Sequence, residues 1–299
     1  MPTTKTGKSM MTASVEVACN ADVASTVVAL HCSLGSGKQW APLAAELAGK
    51  HMVITPDISG YGNNAGPFKL PTTLEEEVDL LSNQLREAVG AIHLVGHSYG
   101  GALAFKIATN SPFAGRVRSL TLIEPVLATV LREYGADRPL HEHFVRLAHA
   151  IYDDLWNGLP SAAIDKFLAF WRGSEPAKEV TPKARLRMME HAEKLAFDFT
   201  AALAEQNVTA AAATIRVPTL LVSGGLSPYL TQRIVWRLTA TIAAVKTRHL
   251  PTAGHMLPIS HAATINPEIV RHITQADKLA GPLLAPGGPS AQADASAKS

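Results

Sequence analysis

The sequence predicts an α/β protein: a mostly parallel, doubly wound central sheet flanked by helices, with an all-helical segment inserted between two strands. Three observations carry that expectation. Short aliphatic, largely β-branched runs alternate with amphipathic helical patterns through much of the chain. Runs of this kind, apolar on both faces, suit a parallel sheet covered by helices on each side. The alternation stops between about Val126 and Ile215, where only helical patterns occur, and that interval is too long for a plain loop.

Taken in order, Val27–Leu30, Met52–Thr55, Ile92–Val95, Leu120–Ile123, Thr219–Val222 and Val245–Leu250 read as strands, each bounded by Gly, Pro or polar residues. Lys38–Ala48, Leu74–Ala88, Ala102–Asn110, Tyr229–Ala240 and Ala262–Thr274 read as helices between and after them. The acidic triplet Glu75-Glu76-Glu77 starts the second helix, where negative charge opposes the positive end of the helix dipole. The inserted interval is divided by Gly158-Leu159-Pro160, Gly173 to Pro176 and Thr181-Pro182. It holds large apolar side chains, Phe144, Phe167, Trp171 and Phe199 among them, most of which belong in a core while the rest can roof a pocket. The expected organisation is a core of residues 13–125 and 216–275, a helical cap of residues 126–215, and a disordered tail at 276–299, rich in Pro, Ala, Gly and Ser from Gly281 to Ser299; residues 1–12 read as frayed.

Composition excludes more than it selects. A chain of 299 residues with 47% hydrophobic and 17% charged side chains is long enough for a sizeable core and is neither disordered nor fibrous. A net charge of +2 without basic blocks gives no electrostatic reason for nucleic acid or a membrane surface as partner. Two cysteines, Cys19 and Cys32, cannot form a disulfide framework, and no apolar run reaches membrane-spanning length or follows the early lysines as in a signal peptide. A cytoplasmic protein acting on a small molecule is expected, and the oligomeric state is left open.

Gly96-His97-Ser98-Tyr99-Gly100-Gly101 lies between the strand Ile92–Val95 and a helical stretch. The bare pattern G-x-S-x-G arises by chance in about one chain in ten of this size. A strand before it and a helix after it give it meaning: a serine on a sharp strand-to-helix turn stands above the sheet, with a helix N-terminus behind it to favour developing negative charge. The alternative, a glycine-rich turn of a nucleotide-binding unit, lacks both a dinucleotide G-x-G-x-x-G and a phosphate-loop lysine.

The segment resembles the nucleophile elbow of the α/β-hydrolase family. Other landmarks follow in that family's chain order: His31-Cys32-Ser33-Leu34-Gly35 after the first strand, Thr55-Pro56-Asp57-Ile58-Ser59-Gly60-Tyr61-Gly62 as its D-x-x-G-x-G loop, and Gly254-His255 after the last strand. The resemblance covers roughly residues 26–275, is nearest to lidded, esterase-like members, and implies Ser98 as nucleophile and His255 as general base. His97 is expected to be too constrained by the elbow to reach Ser98, and His141, His143 and His149 read as solvated cap residues rather than metal ligands. The oxyanion hole is expected from the backbone N–H of Tyr99 and, by resemblance, of Ser33. Cys32 stands where the family has glycine, as an inert filler or as a thiol tuning the pocket. Asp57 reads as a turn-former.

The acid departs from the family pattern. Most members place an aspartate after the strand that is here Thr219–Val222, yet no Asp or Glu occurs between Glu205 and Glu268. Glu124, ending the strand after the elbow helix, is the expected relocated acid. The alternative is a carboxylate that caps the entry to the insertion beside Pro125. The expected function is a serine hydrolase cleaving a carboxylic ester or related acyl substrate through an acyl-enzyme on Ser98, His255 and Glu124, with no metal or organic cofactor. Carbon–carbon bond, lactone and thioester hydrolysis share this apparatus. A ligand-binding or sensor protein on the same fold is the rival from another class, motivated by the missing acid.

Overall fold

The computed structural model describes residues 25–280, apart from 65, 67, 68, 177 and 178; Cys19, the 1–12 segment expected to fray and most of the expected tail lie outside the described residues. Six strands form one sheet: β1 (Ser25–Leu30), β2 (Met52–Ile54), β3 (Ala91–His97), β4 (Val117–Ile123), β5 (Thr219–Gly224) and β6 (Val245–Leu250). They run in the order β2-β1-β3-β4-β5-β6, every neighbouring pair parallel. The chain winds outward from β1 to β2, then returns to β3 on the other side, so the order reverses between β1 and β3. Crevices at the carboxyl ends of such strands are where open α/β sheets bind ligands.

Alternating side chains of the strands feed two cores. Val27, Ala29, Val95 and Val222 meet Leu43 and Leu47 of α1 (Ala41–Leu47) and Ile265, Ile269 and Ile273 of the helix Ala262–Ala280. Val28, Leu30, Leu94 and Leu122 face the other way, toward α2 (Leu74–Leu80), α3 (Ser82–Glu87) and α4 (Tyr99–Thr109). The single helix expected over Leu74–Ala88 is interrupted at Leu81. The edge strand β6 differs from the inner ones: Lys246, Thr247, Arg248 and His249 are exposed, and charge on an edge opposes pairing with another sheet.

Between β4 and β5 the chain is helical, as expected. After two short 3-10 turns come α5 (Arg138–Trp156), α6 (Pro160–Arg172), α7 (Pro182–Glu190), α8 (Ala192–Ala204) and α9 (Val208–Ala212). Prolines at the first positions of α5, α6 and α7 fit where the missing N–H costs nothing. The core then resumes with α10 (Tyr229–Thr241), α11 (Leu257–Ser260) and α12 (Ala262–Ala280). The helix α12 runs five residues past the 275 boundary expected from composition, and Ala276 within that extension is buried. No helix among the described residues is long and apolar enough to cross a membrane.

Candidate active site

Ser98 occupies the turn between β3 and α4 with φ 57° and ψ −119°, a backbone conformation that side chains rarely adopt. The surroundings over-determine it. Its N–H donates to Ile123 O at 2.9 Å, and its carbonyl accepts from Val126 N at 3.1 Å, so the turn is tied to the end of β4. The two flanking glycines are required by space: a Cβ on Gly96 would lie 2.3 Å from Gly100 O, and one on Gly100 would lie 2.3 Å from His31 O. Tyr99 opens α4, so its N–H is among those with no acceptor inside the helix.

His255 sits on the loop between β6 and α11. Its Nε2 lies 3.0 Å from Ser98 Oγ, and its Nδ1 lies 2.6 Å from Glu124 Oε2. All three residues are buried. Glu124 follows β4, which pairs with β3 in a register that sets Ile123 beside His97, so the carboxylate starts one strand away from the elbow. Its other oxygen accepts Gly224 N at 2.7 Å, from the strand end where the family's usual aspartate is missing. A carboxylate accepting at Nδ1 places the ring's proton there and leaves Nε2 free to take the serine proton. The expected residues Ser98, His255 and Glu124 are therefore brought together, and the reading of Glu124 as a cap on the insertion does not account for its contact with His255.

His97 does not reach Ser98. It holds the neighbouring histidine from behind: its Nε2–H donates to the carbonyl of His255 at 2.9 Å, while Nδ1 accepts from Gln39 Nε2 at 3.1 Å. Burial drives its pKa well below the ordinary value, which keeps the ring neutral beside a second imidazole. Gln39 Oε1 faces Cys32 Sγ at 3.3 Å. Burial pushes the Cys32 thiol up to about 12, so it stays protonated and fills space.

The loop carrying Ser33 is held by a buried ionic cluster that the sequence reading did not anticipate. Ser33 Oγ donates to Asp198 Oδ2 at 2.5 Å, and Tyr61 Oη donates to the same oxygen at 2.7 Å. Lys194, one helical turn before Asp198 on α8, bridges Asp198 and Glu77, with the Glu77 contact at 2.8 Å. Burial works against the Lys194 charge, but the two carboxylates beside it outweigh burial and hold the ammonium above its ordinary pKa. Glu77 is thus not a solvated member of an acidic triplet; only Glu75 and Glu76 face water, and Glu76 closes a capping box with Thr72 and Thr73. Asp57 accepts Asn63 N within its own turn at 2.8 Å and Gly37 N from the neighbouring loop at 2.7 Å. His31 links the same two loops, accepting Ile58 N at 2.9 Å and donating to Cys32 O at 2.7 Å.

A cavity of about 1090 Å³ opens above Ser98 and His255, walled by the Cys32–Ser36 loop and by α6 and α7. Trp171 from α6 lies flat on the His255 ring, with centroids 4.1 Å apart and planes inclined by 22°. Ser33 and Tyr99 border a second, small cavity beside Ser98. His143 and His149 are exposed on α5 and His141 half-buried, away from any gathering of ligand atoms. The one metal-like group among the described residues is His51, His93 and Asp277, at the opposite end of the strands. There Arg118 Nη1 lies 2.8 Å from Asp277 Oδ1, and His93 Nδ1 meets Ser119 Oγ at 2.7 Å, so the cluster is a satisfied hydrogen-bond network already holding a cation.

Comparison with known proteins agrees with this architecture. "Putative carbamate hydrolase RutD" of Klebsiella pneumoniae (strain 342) is 27% identical over 248 residues, 80% of this chain and 88% of that one. Lipase LipV of Mycobacterium tuberculosis is 32% identical over 103 residues, a match confined to 34% of this chain and 38% of the lipase. Among solved structures, MenH from S. aureus superposes with a TM-score of 0.68 at 18% identity, covering 86% of this chain and 96% of that one. A thermophilic esterase from Thermogutta terrifontis gives 0.65 at 21% identity, covering 85% and 91%. The family model described as the alpha/beta hydrolase family matches residues 27–268. The chain belongs to the alpha/beta hydrolase family.

Proposed function

We propose that this hydrolase cleaves a carboxylic ester or related acyl compound through an acyl-enzyme on Ser98. The observation that carries the reading is the continuous path from Ser98 Oγ through the His255 ring to Glu124, with contacts of 3.0 and 2.6 Å. Serine is a weak nucleophile until a base accepts its proton. As Ser98 Oγ bonds to the carbonyl carbon, His255 Nε2 takes the hydroxyl proton and the carbonyl π pair moves onto oxygen. The N–H groups of Tyr99 and Ser33 stabilise that oxyanion. When the tetrahedral adduct collapses, the bond to the leaving oxygen breaks and His255 gives it the proton. A water then repeats the sequence: His255 takes its proton, hydroxide oxygen bonds to the acyl carbon, and Ser98 leaves as a hydroxyl. Glu124 keeps the proton on Nδ1 throughout and offsets the positive charge of the imidazolium. Helices α5–α9 serve as the cap that closes the site.

The hydrolytic assignment is supported by the family match and by the RutD likeness, which spans most of both chains. Glu124 beside His255 supplies the acid whose absence motivated a sensor reading, and no step needs a metal. The test is steady-state hydrolysis of 4-nitrophenyl acetate. Wild type is expected to turn over, with Ser98→Ala and His255→Ala each lowering kcat by at least about 10³. Wild-type activity indistinguishable from Ser98→Ala overturns the proposal.

A further inference from the structure

Two spaces adjoin the Ser98 hydroxyl, and they differ in size and in what borders them. The larger, about 1090 Å³, touches Ser98 and His255 and opens outward past charged side chains such as Lys38, Arg172 and Glu175. The smaller, about 20 Å³, is bordered by Ser98, Tyr99 and Ser33 on the core side, and His255 is not among its lining residues. On the same measure it is smaller than the outer space by a factor of about fifty. A short acyl substituent fits it; a long acyl chain does not unless the walls move.

The walls are poorly placed to move. Phe144, Leu195 and Phe199 are fully or almost fully buried. The Phe144 and Phe199 rings pack with centroids 5.1 Å apart, and Phe167 stands edge-on to Phe199 at 6.3 Å. Forcing extra methylenes into such packing drives side chains off their rotamers. The only charged side chain on the border, Asp198, is already committed to Ser33, Tyr61 and Lys194, so it offers no free charge to a ligand.

The chemistry fixes which part of an acyl substrate goes where. The leaving oxygen must receive its proton from His255 Nε2, so it lies on the His255 side, where the larger space begins. The carbonyl oxygen points at the N–H groups of Tyr99 and Ser33. The substituent on the carbonyl carbon takes the remaining direction, into the smaller space. We propose that this smaller cavity is an acyl subsite for short chains, and that the substrates are short-chain acyl esters of bulky alcohols housed in the larger space. The inference rests on the acyl-enzyme reading above.

The experiment measures kcat/KM for 4-nitrophenyl acetate, butyrate and octanoate, with the leaving group held constant. A fall of tenfold or more from acetate to butyrate, continuing to octanoate, is expected. Leu195→Ala, which removes part of the wall, is expected to raise the butyrate-to-acetate ratio at least fivefold. A flat or rising profile in wild type overturns the acyl subsite while leaving the hydrolase reading intact. A folded Leu195→Ala with an unchanged ratio also overturns the subsite. Absence of hydrolysis across the whole series overturns the acyl-enzyme reading and the subsite with it.

Discussion

Trp171 and His255 stack face to face, centroids 4.1 Å apart, so a side chain of the helical insertion covers the ring proposed as the general base for Ser98. The indole face attracts a positive charge, and in the proposed mechanism the ring beneath becomes an imidazolium as the tetrahedral adduct forms. A desolvated cation–π contact of about 1–2 kcal/mol corresponds to roughly 5–30-fold in rate. Trp171→Leu is expected to lower kcat by that range with a smaller change in KM, and Trp171→Phe to recover part of it. Steady-state kinetics on one ester decides the matter; an unchanged kcat in a folded Trp171→Leu would reduce the stack to packing.

Glu124→Gln isolates the orienting role. The amide oxygen can still accept from Gly224 N, so the strand end stays anchored. Its NH2 cannot accept a hydrogen bond from His255 Nδ1–H and donates to that nitrogen instead, which puts the ring proton on Nε2. A loss on the order of 10⁴ in kcat is expected, with thermal stability close to wild type. Activity within a few-fold of wild type removes Glu124 from the mechanism.

The cluster behind Ser33 gives a different signature. Asp198→Ala leaves Ser33 Oγ and Tyr61 Oη without their acceptor and removes one of the two carboxylates on Lys194. Breaking one partner of a buried ion pair costs about 3–5 kcal/mol, which lowers Tm by on the order of 10 °C. Because the Ser33 loop borders the site, kcat is expected to fall alongside Tm. Calorimetry and kinetics on the same preparation check both. Wild-type Tm would show that the cluster holds nothing in place.

His93 supplies a pH-dependent term away from the site. Burial outweighs the neighbouring Asp277 carboxylate and lowers its pKa from 6.5 to about 4. As pH falls the unfolded chain binds the proton first. The stability contributed by the neutral ring is complete above pH 6.5 and is lost as pH falls toward 4, at most about 3 kcal/mol. Denaturant melts across that range are expected to show His93→Gln losing less stability than wild type. Parallel losses in the two proteins would assign the pH dependence to other groups.

What could be read in advance was what one stretch of chain can encode. The inner strands declared themselves by β-branched runs, and the elbow by Ser98 between Gly96 and Gly100 after such a run. Glu124 was reachable because β4 follows the elbow helix and neighbours β3 in the sheet. The stack of Trp171 on His255, the support of His255 by His97 and the bridge from Lys194 to Glu77 join residues 84, 158 and 117 positions apart, and no local pattern reports such contacts. Part of the cluster did leave a trace. Glu77 lies between Leu74 and Val78 on the buried stripe of α2, and Asp198 shares the stripe of Leu195, Phe199 and Ala202 on α8, so charges on apolar faces were the signal. The boundary of α12 was misplaced because alanine-rich composition suits both a helix end and a disordered tail.

The most direct measurement is intact-protein and peptide mass spectrometry after reaction with a fluorophosphonate, which phosphonylates a serine only where a base removes the hydroxyl proton. One adduct per chain, on the peptide containing Ser98, is expected from wild type and none from Ser98→Ala. Folded wild type that takes up no label, or labelling that persists in Ser98→Ala, contradicts Ser98 as the nucleophile.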